Sequence, residues 1–386
     1  MGEGPLTGGE EQHLRSFRPS PQQEGAAQPP LGATSRHRRS PGRGGPWVLI
    51  AVAAVVVLVL GGLVWSRSGG DTTGDGKPKA TAAPLGEEKQ PSSPDDPFYL
   101  VPGGSAAKQV ATWKAAGRDA DAAAIQKIAS QPVATWFAYD GADVEAKAKT
   151  LVQNAEKAGR VPLLVAYFLP HRDCGQYSSG GAKDAAAYRA WLAKLAKATA
   201  GHDGYLVLEP DALAHTLDGC LDAGQSEERY GLLREAITTL KANSKLKVYL
   251  DAGNAAWISS DKMATALDSA GIGDADGFAL NVSNFEATST SISYGAAISD
   301  HLGGKHFVID TSRNGNGPYP NKTEENHWCN PPGRALGAVP TTKTGNPLVD
   351  AYLWVKQPGD SDGQCRPGAP AAGSWWAEYA LTLAKS

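Results

Sequence analysis

Two carboxylates follow a short apolar run in the middle of the chain. The run 205–208 reads Tyr-Leu-Val-Leu, which is apolar enough for a buried strand, and Glu209, Pro210 and Asp211 come directly after it. Because proline has no N–H to give to a sheet, the strand should end there. A carboxyl group beside apolar residues keeps its proton more readily, since desolvation disfavours the charged form, and this suits a general acid. The alternative is a helix N-terminus, where the helix dipole stabilises an acidic residue, and the tripeptide alone favours neither interpretation.

Polar residues follow the other apolar runs in the same way. The predicted strands are 133–138, 161–168, 205–209, 247–251, 277–281, 306–310 and 351–355. The polar residues that follow them include Asp173, Asp211, Asp251, Asn284, Arg313, Asp360 and Asp362. Since the carboxyl ends of parallel strands meet at one face of an α/β fold, we expect these side chains to converge on one site.

Ala-rich segments with helical composition separate the predicted strands. The predicted helices are 142–158, 184–199, 226–243, 261–270 and 373–384. Alternation of strand and helix indicates a parallel sheet, either a barrel or a doubly wound sheet. No Gly-x-Gly-x-x-Gly follows the first strand, which argues against a dinucleotide-binding fold. The polar strand ends favour the barrel.

The amino-terminal part of the chain is predicted to lie outside this fold. Residues 1–46 have the composition of a disordered segment, and 66–94 reads as a flexible polar tether. Between them, 47–65 is an uncharged apolar run with a Trp at each end, long enough as a helix to cross a bilayer core of about 30 Å. The Arg-rich stretch 36–43 places its amino side in the cytoplasm, which puts the domain 95–386 outside the cell. A cleaved signal peptide is the alternative, although the run and its leader are long for one.

Composition and cysteine usage exclude several classes of protein. With 386 residues, 41% hydrophobic and 20% charged, the chain is long enough for one large domain with extensions, and a net charge of -3 gives no sign of a nucleic-acid partner. The cysteines all follow the predicted membrane segment, where disulfides persist, and their spacing alone leaves every pairing open. They are Cys174, Cys220, Cys329 and Cys365. No His-x-x-x-His or Cys-x-x-Cys spacing occurs, so we expect neither a metal site nor a cofactor.

Several segments together resemble glycoside hydrolase family 6, the cellulose-cleaving glucanases. Tyr-x-x-Pro-x-Arg-Asp-Cys at 167–174 and Glu-Pro-Asp at 209–211 are similar to its two signature segments. The other matching motifs are Leu-Asp-Ala-Gly at 250–253, Asn-Val-Ser-Asn at 281–284, Asp-Thr-Ser-Arg-Asn-Gly at 310–315, Trp-Cys-Asn-Pro at 328–331, Trp-Val-Lys at 354–356 and Ser-Asp-Gly at 361–363. The resemblance covers 95–386 and implies a distorted, TIM-like barrel of seven parallel strands. It also implies the disulfides Cys174–Cys220 and Cys329–Cys365.

The resemblance implies inverting hydrolysis of β-1,4-glucosidic bonds. That reaction needs a general acid on one side of the bond and a base-activated water on the other. By resemblance, Asp211 is the general acid, Asp173 raises its pKa and relays protons to water, and Asp362 is the base. Tyr167 is expected beneath the sugar at the cleavage point, where it favours the distorted ring. The alternatives are an ion pair of Asp173 with Arg172, and a simple turn position for Asp362.

The residues that bind substrate are implied by the same resemblance. Three tryptophans match sugar platforms on either side of the scissile bond: Trp136, Trp257 and Trp328. Polar positions that match contacts to the substrate or to the attacking water are Asp251, Asn254, Ser179, Asn284, Lys356 and Asp360. The chain departs from the family at Asp360, Asn254 and Ala212, where Glu, His and Ser are usual. The first two departures bear on substrate affinity and choice.

Two kinds of function remain open from the sequence. The first is an active, membrane-tethered glucanase that acts on a β-glucan, and the second is a surface carbohydrate-binding protein that has lost most of its catalysis. Retention of Asp173, Asp211, Asp251 and Asp362 favours the first. The domain 95–386 is compact for seven strand–helix units with long roofing loops, so we predict a monomer with an open cleft and internal cutting. An exo-acting cellobiohydrolase is the alternative.

Overall fold

The computed structural model describes residues 97–139, 141, 143–242, 245–324 and 326–386. The predicted disordered segment 1–46, membrane segment 47–65 and tether 66–94 lie outside the described residues, so they stay predictions. Within the described ranges, no helix is both long and apolar enough to cross a membrane.

Seven parallel strands form one sheet in which each strand pairs with the next along the chain. They are β1 (Thr135–Phe137), β2 (Leu163–Ala166), β3 (Asp203–Leu208), β4 (Lys245–Asp251), β5 (Gly277–Leu280), β6 (His306–Asp310) and β7 (Val349–Leu353). Every strand overlaps a predicted run, so the predicted α/β class with parallel strands is confirmed.

The sheet curls into a half-barrel. In the part of the chain that the structure describes, no ladder of strand pairs joins β1 to β7. The residues at the start of β1 contact the residues that follow β7: the N–H of Ala134 donates to the carbonyl oxygen of Trp354 at 3.0 Å. The indole N–H of Trp136 donates to the carbonyl oxygen of Val355 at 2.8 Å. The predicted barrel is therefore present as a curled sheet whose two edges are joined by single hydrogen bonds.

Helices cover the outside of the sheet. They are α1 (Ser105–Ala115), α2 (Asp119–Ala129), α3 (Val144–Lys157), α4 (Ala185–Thr199), α5 (Ala214–Leu217), α6 (Ala223–Lys241), α7 (Ser260–Ser269), α8 (Thr288–His301) and α9 (Ala377–Lys385). The five predicted helices correspond to α3, α4, α6, α7 and α9, with ends displaced by a few residues. Helices α1, α2, α5 and α8 were not predicted from the sequence.

Side chains on both faces of the sheet are buried, which explains why the strands read as continuous apolar runs. In β3, Leu206 and Leu208 pack toward the helices, whereas Tyr205 and Val207 pack inside the curl. Burial of each such side chain contributes about 1.5–3 kcal/mol. Packing on both faces thus fixes the strands in place, and with them the carboxyl ends that carry the polar residues.

Trp354, the first residue after β7, anchors the end of that strand. It is 1% exposed and packs among the apolar side chains of α1, α2 and α9, and its indole N–H donates to the carbonyl oxygen of Ala338 at 2.9 Å. Because Trp354 is fixed, the chain that follows it has a defined path, which brings Lys356 to the cleft.

Candidate active site

Glu209, the first of the two carboxylates after β3, faces away from the cleft. It is 1% exposed, and its carboxylate accepts hydrogen bonds from the backbone N–H of Phe168 at 3.0 Å and of Leu169 at 3.1 Å. Burial raises the pKa of Glu209 to about 7, although these backbone donors oppose the rise. The side chain therefore joins the end of β3 to the end of β2 instead of contacting a ligand.

Asp310, at the end of β6, joins the segments that follow the last three strands. It is 1% exposed, and its two oxygens accept four backbone N–H groups at 3.0–3.3 Å. The donors are Ser283, Ser312, Val355 and Lys356. One carboxylate thus fixes the segments after β5, β6 and β7, on which several cleft residues lie.

Asp211 is the carboxylate after β3 that lines the cleft. Its backbone has a left-handed φ of 67°, which costs a residue other than glycine about 1–2 kcal/mol. A hydrogen bond from its N–H to Oδ2 of Asp251, at 2.9 Å, supports this conformation. Burial raises the pKa of Asp211 to about 6, the charge of His215 lowers it, and the charge of Asp173 raises it further. A carboxyl group that keeps its proton at mildly acidic pH can act as a general acid.

Asp251, which was predicted to bind substrate, lies beneath Asp211 and does not line the cleft. It is 1% exposed, and its Oδ2 accepts from the N–H of Asp211 and from that of Gly253 at 3.0 Å. Its other oxygen has no hydrogen-bond partner among the described residues. Burial, together with the charge of Asp211, raises the pKa of Asp251 well above its ordinary range. The structure therefore places Asp251 as a support for the backbone of Asp211.

Asp173 lies in a 3₁₀ turn after β2 and lines the cleft. Its Oδ2 accepts a hydrogen bond from the N–H of Ser178 at 2.6 Å, and its Oδ1 lies 3.9 Å from Nε2 of His215. Its charge raises the pKa of Asp211, as predicted for neighbouring carboxylates.

The alternative of an ion pair between Arg172 and Asp173 is wrong. Arg172 donates instead to carbonyl oxygens of the segments after β1 and β2 at 2.7–3.1 Å, which are those of Ala138, Tyr167, Ser178 and Ser179. Its guanidinium also lies 4.7 Å from the ring centre of Tyr167. Tyr167 contacts Trp136 edge to face, with ring centres 5.3 Å apart, and both rings line the cleft. Arg172 therefore supports the floor on which these rings lie.

Asp362 lines the cleft with both oxygens engaged. Oδ2 accepts from Nη1 of Arg313 and from the N–H of Asn330, each at 3.0 Å, and Oδ1 lies 3.3 Å from Nζ of Lys356. Burial alone would raise the pKa of Asp362, but the charges of Arg313 and Lys356 outweigh it and lower the pKa. Neighbouring Asp360 differs, since burial raises its pKa to about 6 against the opposing charges of Lys356 and Arg313. Asp362 is thus a stably ionised group and a weak proton acceptor.

The cleft above the strand ends has a volume of about 1120 Å³. Its aromatic lining consists of Trp136, Tyr139, Tyr167, Tyr177, Trp257, Phe285, Tyr319 and Trp328. The predicted site residues that line it are Trp136, Tyr167, Asp173, Ser179, Asp211, Asn254, Trp257, Asn284, Trp328, Lys356, Asp360 and Asp362. The structure thus brings together all the predicted catalytic and substrate-binding residues except Asp251.

One contact joins the loops that follow β2 and β7. Gly363, at a φ of 143°, packs so closely on Tyr177 that a Cβ at this position would lie 2.6 Å from the Cβ of Tyr177. The ring of Tyr177 also lies 6.1 Å from that of Trp328, and both side chains remain more than one third exposed. Since both loops line the cleft, this contact covers a short part of it.

Both disulfides have the pairing that the resemblance implied, Cys174–Cys220 and Cys329–Cys365. Each closes a loop that carries site residues, and crosslinks of this loop size contribute up to about 4 kcal/mol in the chain-entropy model. The described residues contain one cluster with metal-ligating side chains, formed by His215 and the first disulfide. Since its two sulfurs are bonded to each other, they are not thiolate ligands.

Several residues of the site were not among the predicted catalytic and substrate-binding residues, although Arg313 was among the polar strand-end residues expected to converge there. Arg313 is fully buried and binds Asp362, and Arg229 of α6 is 4% exposed and donates to carbonyl oxygens after β2 and β3 at 3.0 Å. His215 lines the cleft between Asp173 and Trp257. A polar residue close to a predicted strand end was the only signal for Arg313 and His215, and no sequence pattern pointed to Arg229.

Comparison with known proteins agrees with this geometry. A family model for glycosyl hydrolases family 6 matches residues 93–386. Endoglucanase A of Cellulomonas fimi is 42% identical over 295 residues, which are 76% of this chain and 62% of that protein. Endoglucanase 1 of Streptomyces halstedii is 37% identical over 312 residues, which are 78% of this chain and 92% of that protein. The chain therefore spans less than two thirds of the Cellulomonas relative and nearly all of the Streptomyces one.

A solved structure is similar over a comparable share of the chain. The endoglucanase Cel6 from Mycobacterium tuberculosis, in complex with methyl-cellobiosyl-4-deoxy-4-thio-β-D-cellobioside, gives a TM-score of 0.70 at 42% identity. The match covers 77% of this chain and 98% of that one. The family model covers all the residues that form the cleft, the sequence relatives and the fold agree with it, and on these grounds the chain belongs to glycosyl hydrolases family 6.

Proposed function

We propose that this protein hydrolyses internal β-1,4-glucosidic bonds of a glucan with inversion, and that Asp211 is the general acid. The observation that carries the proposal is the state of Asp211, which faces an aromatic cleft with its pKa raised to about 6. The named relatives support it, since they are endoglucanases.

Protonation of the leaving oxygen is the step that Asp211 performs. Its left-handed backbone and its bond to Asp251 direct the side chain into the cleft, where a glucosidic oxygen can receive the proton. The attacking water must lose a proton on the other face of the sugar. Asp362 holds Lys356 and Arg313 and is a weak base, so we assign the proton of the attacking water to Asp173, which lies beside Asp211 and receives it through a further water, with Asp362 fixing the charges around the sugar.

The aromatic lining provides the binding energy. Trp136, Trp257 and Trp328 line the cleft, and we assign them as the platforms on which the C–H faces of glucose units stack. Tyr167 lies at the floor near Asp173 and Asp211, where the ring at the cleavage point is held. We propose a β-glucan polymer or oligosaccharide as the ligand, with no cofactor.

Replacement of Asp211 tests the acid directly. The substrates are carboxymethylcellulose and dinitrophenyl cellobioside, whose leaving group needs little protonation. Asp211→Asn should lose activity on the polymer by about 10²-fold or more, yet retain most of it on the activated substrate. Asp203→Asn is the matched control, because Asp203 is exposed at the opposite end of β3. Equal losses on both substrates would refute the assignment, and an inactive wild-type protein that still binds glucan would favour the carbohydrate-binding alternative.

An exo-acting cellobiohydrolase is the second candidate. The specific observation in its favour is the contact between Tyr177 and Gly363, because chain-end enzymes of this family cover the cleft with loops. We prefer internal cutting because Tyr177 supplies all three of the nearest atoms to Gly363, so a single half-exposed side chain makes this cover.

We also propose that residues 47–65 anchor the protein in the membrane with the catalytic domain outside the cell, as a monomer. The support is the composition of the run and the Arg-rich stretch 36–43 before it. A reporter fused at residue 20 should be cytoplasmic, and the domain should be accessible to protease on intact cells. Recovery of a cell-free mature protein that starts between 60 and 75 would show that the segment is cleaved.

A further inference from the structure

His215 lies one helical turn after Asp211. Its backbone N–H donates to the carbonyl oxygen of Asp211 at 3.0 Å, where the short helix α5 begins. Its ring lines the cleft but is only 5% exposed. None of the motifs that identified the other site residues includes this histidine.

The orientation of the ring is fixed from three sides. Nδ1 lies 3.0 Å from Oδ2 of Asp218, and because a carboxylate only accepts, Nδ1 carries the hydrogen. Asp218 is itself held, since its Oδ1 accepts from the N–H of Cys220 at 3.0 Å. Trp257 contacts the ring edge to face at 5.0 Å between centres. Nε2 is thereby left facing Oδ1 of Asp173 at 3.9 Å.

Carboxylates from four segments act on this ring. Asp173 comes from the turn after β2, Asp211 from the end of β3, Asp251 from the end of β4, and Asp218 from the end of α5. Burial by itself lowers the pKa of His215, but the bonds and charges of Asp173, Asp211 and Asp218 outweigh it and raise the pKa. The ring is therefore charged at the pH where Asp211 works.

The positive charge of His215 in turn lowers the pKa of the acid, Asp211. Burial and Asp173 raise the pKa of Asp211, and His215 is the strongest of the cations that lower it, ahead of Lys356 and Arg229. Two carboxyl groups that share a site cannot both ionise easily, so a fixed cation between them decides how much negative charge the pair carries.

We propose that His215 is a positioning residue of the active site, whose imidazolium is held by Asp218 and supplies the positive charge beside the carboxyl groups of Asp173 and Asp211. The inference rests on the proposed glucanase function and deepens it. It assigns the cation that offsets the repulsion between the neighbouring carboxylates. Without this cation, Asp211 keeps its proton to higher pH.

The pH profile of kcat/KM on carboxymethylcellulose tests the inference, with His215→Gln compared with the wild-type chain. We expect the alkaline limb of the profile to move to higher pH in His215→Gln, because Asp211 keeps its proton longer, so that activity persists further on the alkaline side. His202→Gln is the matched control, because His202 also pairs with a carboxylate, Glu156 at 3.1 Å, and does not line the cleft. A profile of His215→Gln that coincides with those of the wild type and the control would overturn the inference.

A second measurement covers the case in which His215→Gln does not fold. The imidazole of His215 is titrated by NMR in the full chain and in the Asp218→Asn and Asp211→Asn variants. Its pKa should lie above the ordinary value in the wild type and fall in both variants. A wild-type value at or below the ordinary one would overturn the inference. Because this titration needs no turnover, a wild-type chain without glucanase activity would refute the proposed function separately.

Discussion

Arg313 and Asp362, which are 49 residues apart in the chain, form a buried ion pair with Nη1 and Oδ2 3.0 Å apart. The same carboxylate lies 3.3 Å from Nζ of Lys356, so one anion contacts a fully buried cation and a partly buried one at the edge of the cleft. The pair brings the segment after β6 against the segment after β7. The Asp362 carboxylate thus has a structural role in addition to any role in catalysis.

The first prediction separates these roles. Asp362→Ala leaves the fully buried Arg313 without its counter-charge, so it should reduce stability by about 3–5 kcal/mol as well as activity. Azide, a nucleophile that needs no base, should not restore turnover. Asp268→Ala, at an exposed position of α7, is the control for stability. Recovery of activity in azide with formation of an α-glycosyl azide would instead identify Asp362 as the base.

The second prediction concerns stability and pH, through Glu209. Its pKa in the folded protein is raised from 4.5 to about 7, so between these values the native state binds more protons than the unfolded state. The native state therefore loses stability as pH rises through this window, by up to roughly 3 kcal/mol from this group. Glu209→Gln should weaken the dependence, as measured by urea unfolding at pH 4.5 and pH 7. Glu228→Gln, at an exposed position of α6, should leave it unchanged. An equally steep dependence in Glu209→Gln would show that the folded-state pKa is ordinary.

The third prediction concerns the support beneath the acid. Asp251→Ala leaves the buried N–H groups of Asp211 and Gly253 without an acceptor, which costs about 1–3 kcal/mol each. It should lower kcat more than it raises KM, because Asp251 does not line the cleft. Since the buried carboxyl group of Asp251 favours the neutral form, Asp251→Asn keeps an acceptor of the same shape and should retain most of kcat. A large rise in KM with unchanged kcat in Asp251→Ala would instead support the predicted role in substrate binding.

The strand ends could be predicted from the sequence because two physical signals coincide there. A strand buried on both faces is a continuous apolar run, and the residue that follows it is the first one free to be polar. Residue types alone therefore place Asp173, Asp211 and Asp362 at one edge of the sheet. Helix α8 escaped prediction because its sequence, Thr-Ser-Thr-Ser-Ile-Ser-Tyr-Gly, has low helix propensity. It is stabilised by packing: a Cβ on Gly295 would lie 2.5 Å from the ring of Phe307, so only glycine permits this approach.

The electrostatic partners of the acids could not be predicted in this way. Glu209 and Asp211 look alike in the sequence, yet one binds backbone behind the sheet and the other faces the cleft. Left-handed backbone at both residues sets their directions; Glu has no tendency toward that conformation, and the tendency of Asp is too weak to predict it at this position. Arg229 contacts Pro170 across 59 residues, and such distant pairing leaves no local trace in the sequence. The reaction type could thus be predicted from residue types, whereas the pKa of each carboxyl group depends on contacts that form only in the folded protein.

The last prediction concerns the mode of attack. If the protein cuts internal bonds, carboxymethylcellulose should lose viscosity quickly while few reducing ends appear. The physical reason is that one cut near the middle of a chain halves its length, whereas one cut at an end removes only a short fragment. The cleft permits entry along its length if Tyr177 is the main cover, since that side chain is 40% exposed and Trp328 beside it is 37% exposed.

The Tyr177→Ala variant decides what the contact with Gly363 does. It removes the side chain that joins the two loops and keeps the backbone of both, so the ratio of viscosity loss to reducing ends should stay as in the wild type. Tyr139→Ala is the control, because Tyr139 lines the same cleft and is 77% exposed. If the wild type instead leaves viscosity high and releases cellobiose as nearly its sole product, and Tyr177→Ala alone lowers viscosity, then Tyr177 closes a tunnel. The protein would in that case act from chain ends, because a polymer could enter the covered site only by threading.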